Sequence, residues 1–404
     1  MKRVVVTGMG MINALGLEKE SSFKRICEGK SGINKITLFD ASDFPVQIAA
    51  EVKNFDPLKI IDPKEVKKID RFIQLGIQAA KEAIEDAKFD TAIDKNDFGI
   101  VSASGIGGLP NIEKNSIVSE QRGPRKISPF FIPSALINML GGLISIQHGL
   151  KGPNLSCVTA CAAGTHAIGE AYKSIVLGSA NKMLVVGSES AICPVGIGGF
   201  ASMKALSTRN DEPEFASRPF DKERDGFVMG EGSGALVLEE YEQAKQRGVR
   251  IYAELIGFGE SADAYHITSP TLEGPLRAMQ KALQMAGNLK VDYINAHGTS
   301  TPINDKNETA AIKTLFADSI PVVSSTKGQI GHCLGAAGTI EAVISLMALQ
   351  NNIVPPTINQ FVKDEECDLD YVANQAREIN LEVVMSNSFG FGGTNGCVLF
   401  RKVE

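Results

Sequence analysis

The chain has 404 residues carrying 41 Lys and Arg against 47 Asp and Glu, a net charge of −6, with 43% hydrophobic and 22% charged residues. This balance excludes intrinsic disorder, collagen-like repetition and a disulfide scaffold, and the acidic total argues against nucleic acid as the main partner, because phosphate binding needs clustered Lys and Arg. Glycine is abundant, at 40 residues beside 6 Tyr and no Trp, which predicts tight turns and close backbone approaches.

Along the chain, strand-like and helix-like stretches alternate. The β-branched run Val4-Val5-Val6 predicts a first strand ending in a turn at Thr7-Gly8-Met9-Gly10. A secretory signal is the competing reading of this opening, but Gly8, Gly10, Asn13 and Gly16 interrupt the apolar stretch. Between 67 and 87, Ile69, Ile73, Ile77, Ala80 and Ile84 recur at the spacing of an amphipathic helix. Residues 99–101 predict a strand, followed by a Gly-rich turn at 105–108. Strands at 154–158 and 182–187 flank a helix over 162–177 that Gly178 closes. A strand at 234–238 leads to a charged helix ending at Gly248, and the alternation restarts with a strand at 251–258. Helices at 276–286, 308–316 and 338–350 follow, with short strands at 293–296, 322–324 and 383–387. This is an α/β pattern with buried sheets, in two tightly packed halves dividing near residue 250 without a Pro- or Ser-rich linker. No run of 18 apolar residues occurs, so no membrane association is expected. Seven cysteines, an odd number with no dense pattern, read as reduced thiols of a cytoplasmic protein.

The chemistry concentrates in three segments. In Thr159-Ala160-Cys161-Ala162-Ala163-Gly164 an apolar strand runs into a turn of small residues and then a helix. That places Cys161 at a helix N-terminus, where the dipole and free N–H groups favour a thiolate and are available to an oxyanion. The competing reading is an inert buried thiol, which suits Cys157 on the preceding strand. Asn295-Ala296-His297-Gly298-Thr299-Ser300-Thr301 sets a histidine just past an apolar run, in a turn of hydroxyls. Ser324-Ser325-Thr326-Lys327-Gly328-Gln329-Ile330-Gly331-His332 repeats that arrangement with a lysine and a second histidine. Both fall where open α/β sheets place ligands, at strand C-terminal ends. His148 and His166 read as packing or surface residues, and the context of His266 decides nothing. No close ligand pair such as Cys-x-x-Cys occurs, so no metal site is expected.

The most Gly-dense segment is Asn387-Ser388-Phe389-Gly390-Phe391-Gly392-Gly393-Thr394-Asn395-Gly396. It fails as a nucleotide loop, because the strand at 397–400 follows it and no helix is left to face a phosphate. Thr7-Gly8-Met9-Gly10 is the better dinucleotide candidate, though Asn13 holds the third glycine position and no acid is suitably placed some 20 residues on. Glycines that bring backbone N–H groups up to a reacting thioester fit the tail better.

Together the motifs resemble the β-ketoacyl-[acyl-carrier-protein] synthase family of condensing enzymes, essentially end to end. Thr159-Ala160-Cys161, His297-Gly298-Thr299-Ser300-Thr301-Pro302 and the run from Lys327 to Gly338 carry the resemblance. Leu206-Ser207-Thr208-Arg209-Asn210 and Ala264-Tyr265-His266-Ile267-Thr268-Ser269-Pro270 look like its type II members. The resemblance implies a thiolase-like fold of five αβαβα layers, with the nucleophile in residues 1–250 and both histidines and a Gly-rich gate in 251–404. It implies an elongating decarboxylative condensation in fatty-acid synthesis, with a specialised lipid or polyketide pathway as the alternative. A non-catalytic partner subunit and a dinucleotide-dependent oxidoreductase are the competing classes. By motif, Cys161 would carry the acyl chain, while His297 and His332 would stabilise the malonyl-derived enolate. The N–H groups of Cys161 and Phe391 would form the oxyanion hole, with Phe391 also gating the acyl pocket. Lys327 is expected to pair with Glu308, with Asp305 in support, and Thr299, Thr301 and Phe389 to meet the substrate arm. The implied partners are acyl-carrier protein, docked on Lys64, Lys67, Lys68, Arg125, Lys126 and Lys204, and a second copy of the chain. No cofactor is expected, because the phosphopantetheine arrives on the carrier. Gly328 and Cys333 depart from the residues usual at their positions.

Overall fold

The computed structural model describes residues 2–89, 96–317 and 319–403. Strand β1 (Val4–Ile12) is buried along its whole length, and the expected turn at 7–10 is its interior. Helix α1 (Arg71–Asp86) explains the two glycines there. It crosses the strand so closely that a Cβ on Gly8 would collide with the carbonyl oxygen of Ala83, and one on Gly10 with that of Ala79. The glycines therefore seat a helix and leave no room for a pyrophosphate, so the dinucleotide reading falls. The helix starts four residues later than its apolar periodicity suggested, because the buried Asp70 carboxylate accepts from the Phe72 N–H and caps it there.

The other strands of the ten-stranded sheet that contains β1 are β2 (Phe98–Ala103), β3 (Asn154–Cys157), β4 (Lys182–Glu189), β5 (Gly232–Glu240), β6 (Ala253–Ala262), β7 (Tyr293–Asn295), β8 (Val322–Ser324), β9 (Val383–Gly390) and β10 (Thr394–Arg401). Among the described residues they lie in the order β3-β2-β4-β5-β1-β6-β10-β9-β7-β8. The seam between β1 and β6 consists of only two residue pairs, Val5 with Glu254 and Val6 with Ala253. On either side of it lies a five-stranded unit of identical topology. Counted within each unit, the strands run third, second, fourth, fifth, first. The first three in that row are parallel, and the fifth is antiparallel to both its neighbours.

Helices α3 (Ala163–Val176) and α6 (Ala337–Asn351) occupy the middle layer, each touching strands of both units. This position accounts for the composition of α6, in which residues 337–349 are all buried and no polar face exists. Helices α1 and α2 (Asn138–His148) cover the outer face of the first unit. Helices α4 (Glu273–Met285) and α5 (Pro302–Phe316) cover that of the second. The result is the expected αβαβα stack. Among the described residues no helix is long and apolar enough to cross a membrane, and all seven cysteines are free thiols.

Candidate active site

The turn that carries Cys161 follows β3. Ala160 adopts φ +49°, a left-handed conformation that costs a residue with a Cβ, and Cys161 sits in the next position, just ahead of α3. Such strain persists only where surrounding contacts fix it. Here the Thr159 carbonyl accepts from the Ala162 N–H at 3.1 Å and the Thr394 hydroxyl at 3.0 Å. Gly390 packs so tightly against the turn that a Cβ there would lie 3.1 Å from the Cys161 nitrogen. Cys161 is buried, and burial pushes its thiol up to about 12. Lys327 and the N–H groups of Phe391 and of Cys161 itself act the other way without overcoming it. The expected thiolate is thus a resting thiol, because loss of water outweighs the helix terminus.

A cavity of about 340 Å³ opens beside this turn, lined by Cys161, His297, His332, Thr299, Thr301 and Phe389. The two imidazoles, drawn from loops after β7 and β8, stand edge to face with ring centroids 5.3 Å apart. Burial and the nearby Lys327 ammonium hold both well below the usual imidazole range, so both are neutral. Each Nδ1 is buried and has no hydrogen-bond partner in the structure. Nothing therefore fixes the ring proton at Nδ1, and Nε2 can present it to the cavity.

Two carboxylates of α5 shape the first histidine loop. Glu308 accepts from the N–H groups of His297 and Gly298, both at 2.8 Å, and from the Asn387 side chain at 3.2 Å. Asp305 accepts from the Thr299 N–H at 3.0 Å and the Phe220 N–H at 2.8 Å, and faces Arg224 at 3.6 Å. With its oxygens so occupied, Glu308 is not the partner of Lys327. The lysine pairs instead with Glu341, the single acidic residue of α6, and both are sealed from solvent. Glu341 was missed in the sequence, although one charge in an otherwise apolar helix was a signal that could have found it. Burial raises its carboxyl to about 7, against the pull of Lys327.

The Gly-dense tail is a β-hairpin: β9 ends at Gly390, β10 begins at Thr394, and Phe391 lies in the three-residue turn between them. The Phe391 ring is half-buried and tilts against Phe200 at 6.3 Å, while Phe389 meets the His297 ring at 5.6 Å. Thr299 and Thr301 join their hydroxyls at 2.8 Å on the cavity wall. His266 also lines the cavity. His166, read as a packing or surface residue, is half-buried, and both of its ring nitrogens are hydrogen-bonded. Gly328 and Cys333 are buried away from the cavity lining, so their departures do not reach its wall.

Of the six basic residues expected to dock a carrier, only the exposed Lys204 is at the cavity. Lys64, Lys67, Arg125 and Lys126 are exposed elsewhere on the surface. Lys68 pairs with Glu65 at 2.6 Å and lies over the Phe130 ring at 5.1 Å, which brings the two basic segments together. Among the described residues no group of three or more His, Cys, Asp and Glu could hold a metal ion.

Two family models match the chain: "Beta-ketoacyl synthase, N-terminal domain" over residues 1–244 and "Beta-ketoacyl synthase, C-terminal domain" over residues 252–361. The 3-oxoacyl-[acyl-carrier-protein] synthase 2 of Coxiella burnetii is 53% identical over 409 residues, covering 100% of this chain and 99% of its own. The protein of the same name from Vibrio harveyi is 48% identical at the same coverage. Among solved structures, a beta-ketoacyl synthase from Burkholderia phymatum superposes with a TM-score of 0.93 at 35% identity, covering 100% of both chains. A complex of a type II PKS acyl-carrier protein with its ketosynthase bound to the hexaketide superposes with a TM-score of 0.91 at 33% identity, also covering 100% of both chains.

Proposed function

The chain belongs to the beta-ketoacyl synthase family, and from that premise we propose how its buried site performs the elongating condensation of fatty-acid synthesis. The enzyme joins an acyl group to a malonyl unit carried on acyl-carrier protein, giving 3-oxoacyl-carrier protein and CO₂. The observation that carries the mechanism is the gathering of Cys161, two neutral imidazoles and two backbone N–H donors around one cavity.

In the first half-reaction the Cys161 sulfur attacks the acyl thioester. A new C–S bond forms, the bond to the pantetheine sulfur breaks, and the thiol proton leaves with the departing pantetheine. The N–H groups of Cys161 and Phe391 receive the charge that develops on the carbonyl oxygen, and in a dry site such donors are worth a factor of about 100–1000 in rate. In the second, the malonyl arm lies along Thr299 and Thr301 with its thioester carbonyl towards the two Nε2–H groups. Loss of CO₂ leaves an enolate, which those neutral donors stabilise without protonating its carbon. The enolate carbon attacks the acyl carbonyl, the C–C bond forms, and Cys161 departs and recovers a proton from solvent. Decarboxylation itself generates the nucleophile, so we assign no resident cofactor.

Residues 1–250 supply the nucleophile and 251–404 the histidines and the gate. We place the carrier on the basic surface formed by Lys64, Lys67, Lys68, Arg125 and Lys126, with Lys204 at the cavity entrance. A local positive surface on an acidic protein steers an acidic partner. A second copy of the chain fits the free side of β3, an edge strand that among the described residues pairs only with β2 and exposes Leu155 and the adjacent Val158. Free thiols throughout agree with the cytoplasm. The test is formation of 3-oxoacyl-carrier protein from acyl- and malonyl-carrier proteins. The wild type is expected to turn over and Cys161→Ser to form no product; product from Cys161→Ser, or none from the wild type, would overturn the assignment.

A further inference from the structure

Both ring nitrogens of His166 reach parts of the catalytic apparatus. It lies on the first turn of α3, half-buried and five residues after the nucleophile. Nδ1 is 2.7 Å from the Thr159 hydroxyl, and Nε2 is 3.2 Å from the Asn395 carbonyl oxygen. A carbonyl only accepts, so Nε2 carries the proton. In the neutral ring Nδ1 then accepts from the Thr159 hydroxyl. Burial holds the ring below the ordinary imidazole range, in keeping with that form.

The two anchors are informative. Thr159 immediately precedes Ala160, the strained residue that sets the direction of the Cys161 N–H. Asn395 belongs to β10, which emerges from the turn carrying the Phe391 N–H. One side chain thus bridges the two segments that present the two oxyanion donors. We propose that His166 is a positioning residue that fixes the spacing of the Cys161 and Phe391 N–H groups, and so serves acyl transfer rather than malonyl decarboxylation. The assignment rests on the condensing reaction proposed above. His297 and His332 belong to other loops and share neither anchor of His166, which is why the two half-reactions separate.

The experiment measures two rates for each variant. One is single-turnover transfer from acyl-carrier protein to Cys161, read by intact mass. The other is CO₂ release from malonyl-carrier protein. His166→Phe is expected to slow acylation on the order of 10–100-fold, the range that follows from small misplacement of a catalytic group, while leaving decarboxylation within about 3-fold. His166→Gln is expected to restore acylation, since its amide oxygen and nitrogen reproduce the acceptor and the donor. Thr159→Val repeats the loss and Thr159→Ser does not, which keeps the test open if His166→Phe fails to fold. Wild-type acylation in both His166→Phe and Thr159→Val, or equal loss of both half-reactions in every variant that folds, would overturn the proposal. Failure of the wild type to acylate Cys161 at all would instead overturn the proposed function.

Discussion

At the scale of single residues, the competition that decides the chemistry is between burial and local charge. Cys161 has the helix terminus, the backbone N–H groups and a nearby ammonium that the sequence suggested, yet desolvation wins and the thiol is held near 12. The sign of the pH dependence follows. Between pH 6 and pH 10 the thiolate fraction rises about tenfold per unit, so alkylation of Cys161 by iodoacetamide is expected to climb through that range without levelling. A plateau near pH 7–8 would contradict the burial account. Both histidines and the cysteine were legible as candidates because each sits in a short motif that follows an apolar run, rich in hydroxyls before or after the histidines and in small residues around the cysteine. The partner of Lys327 was not, because α5 and α6 each offer a buried glutamate and only packing assigns Glu308 to the backbone and Glu341 to the lysine.

At the scale of elements, the central layer is set by close approach. Helices α3 and α6 meet where a Cβ on Gly164 would lie 2.7 Å from the Thr339 nitrogen and one on Gly338 would lie 2.5 Å from the Thr165 nitrogen. Both obstacles are backbone, so neither can move aside cheaply. Gly338→Ala is expected to cost about 1–3 kcal/mol, the usual penalty of overpacking, and to lower kcat because α3 carries the turn of Cys161. A melting temperature and kcat equal to wild type would contradict this packing. The core face of α1 was readable from its periodicity, whereas α6, buried all round, has none to read. The extent of β1 was not: its glycines look like a turn in one dimension, and only the helix lying across them shows why the strand continues.

At the scale of the molecule, the repeated strand order on either side of the β1–β6 seam is the main architectural fact. It was faint in the sequence because the two units share connectivity rather than residues, and only the restart of alternation near residue 250 hinted at it. The site lies where the units meet, with Cys161 from one and His297, His332 and Phe391 from the other. Two predictions belong at this scale. Reversing charge with Lys67→Glu and Lys68→Glu is expected to raise KM for carrier-bound substrate several-fold at low salt with kcat nearly unchanged; an unchanged KM would remove those residues from the docking surface. Leu155→Lys on the free edge of β3 is expected to shift the protein towards monomer in light scattering, and an undisturbed dimer would place the interface elsewhere.

The central claim is that one cavity divides two jobs between one cysteine and two histidines. The most direct measurement is a two-stage single turnover of His297→Ala and His332→Ala. Each variant is first mixed with acyl-carrier protein and then with malonyl-carrier protein, and the mass of the Cys161 peptide is followed beside CO₂ release. The account predicts that both variants take up the acyl group at least in part, keep it when malonyl-carrier protein arrives, and release no CO₂. Condensation surviving in either variant would contradict it.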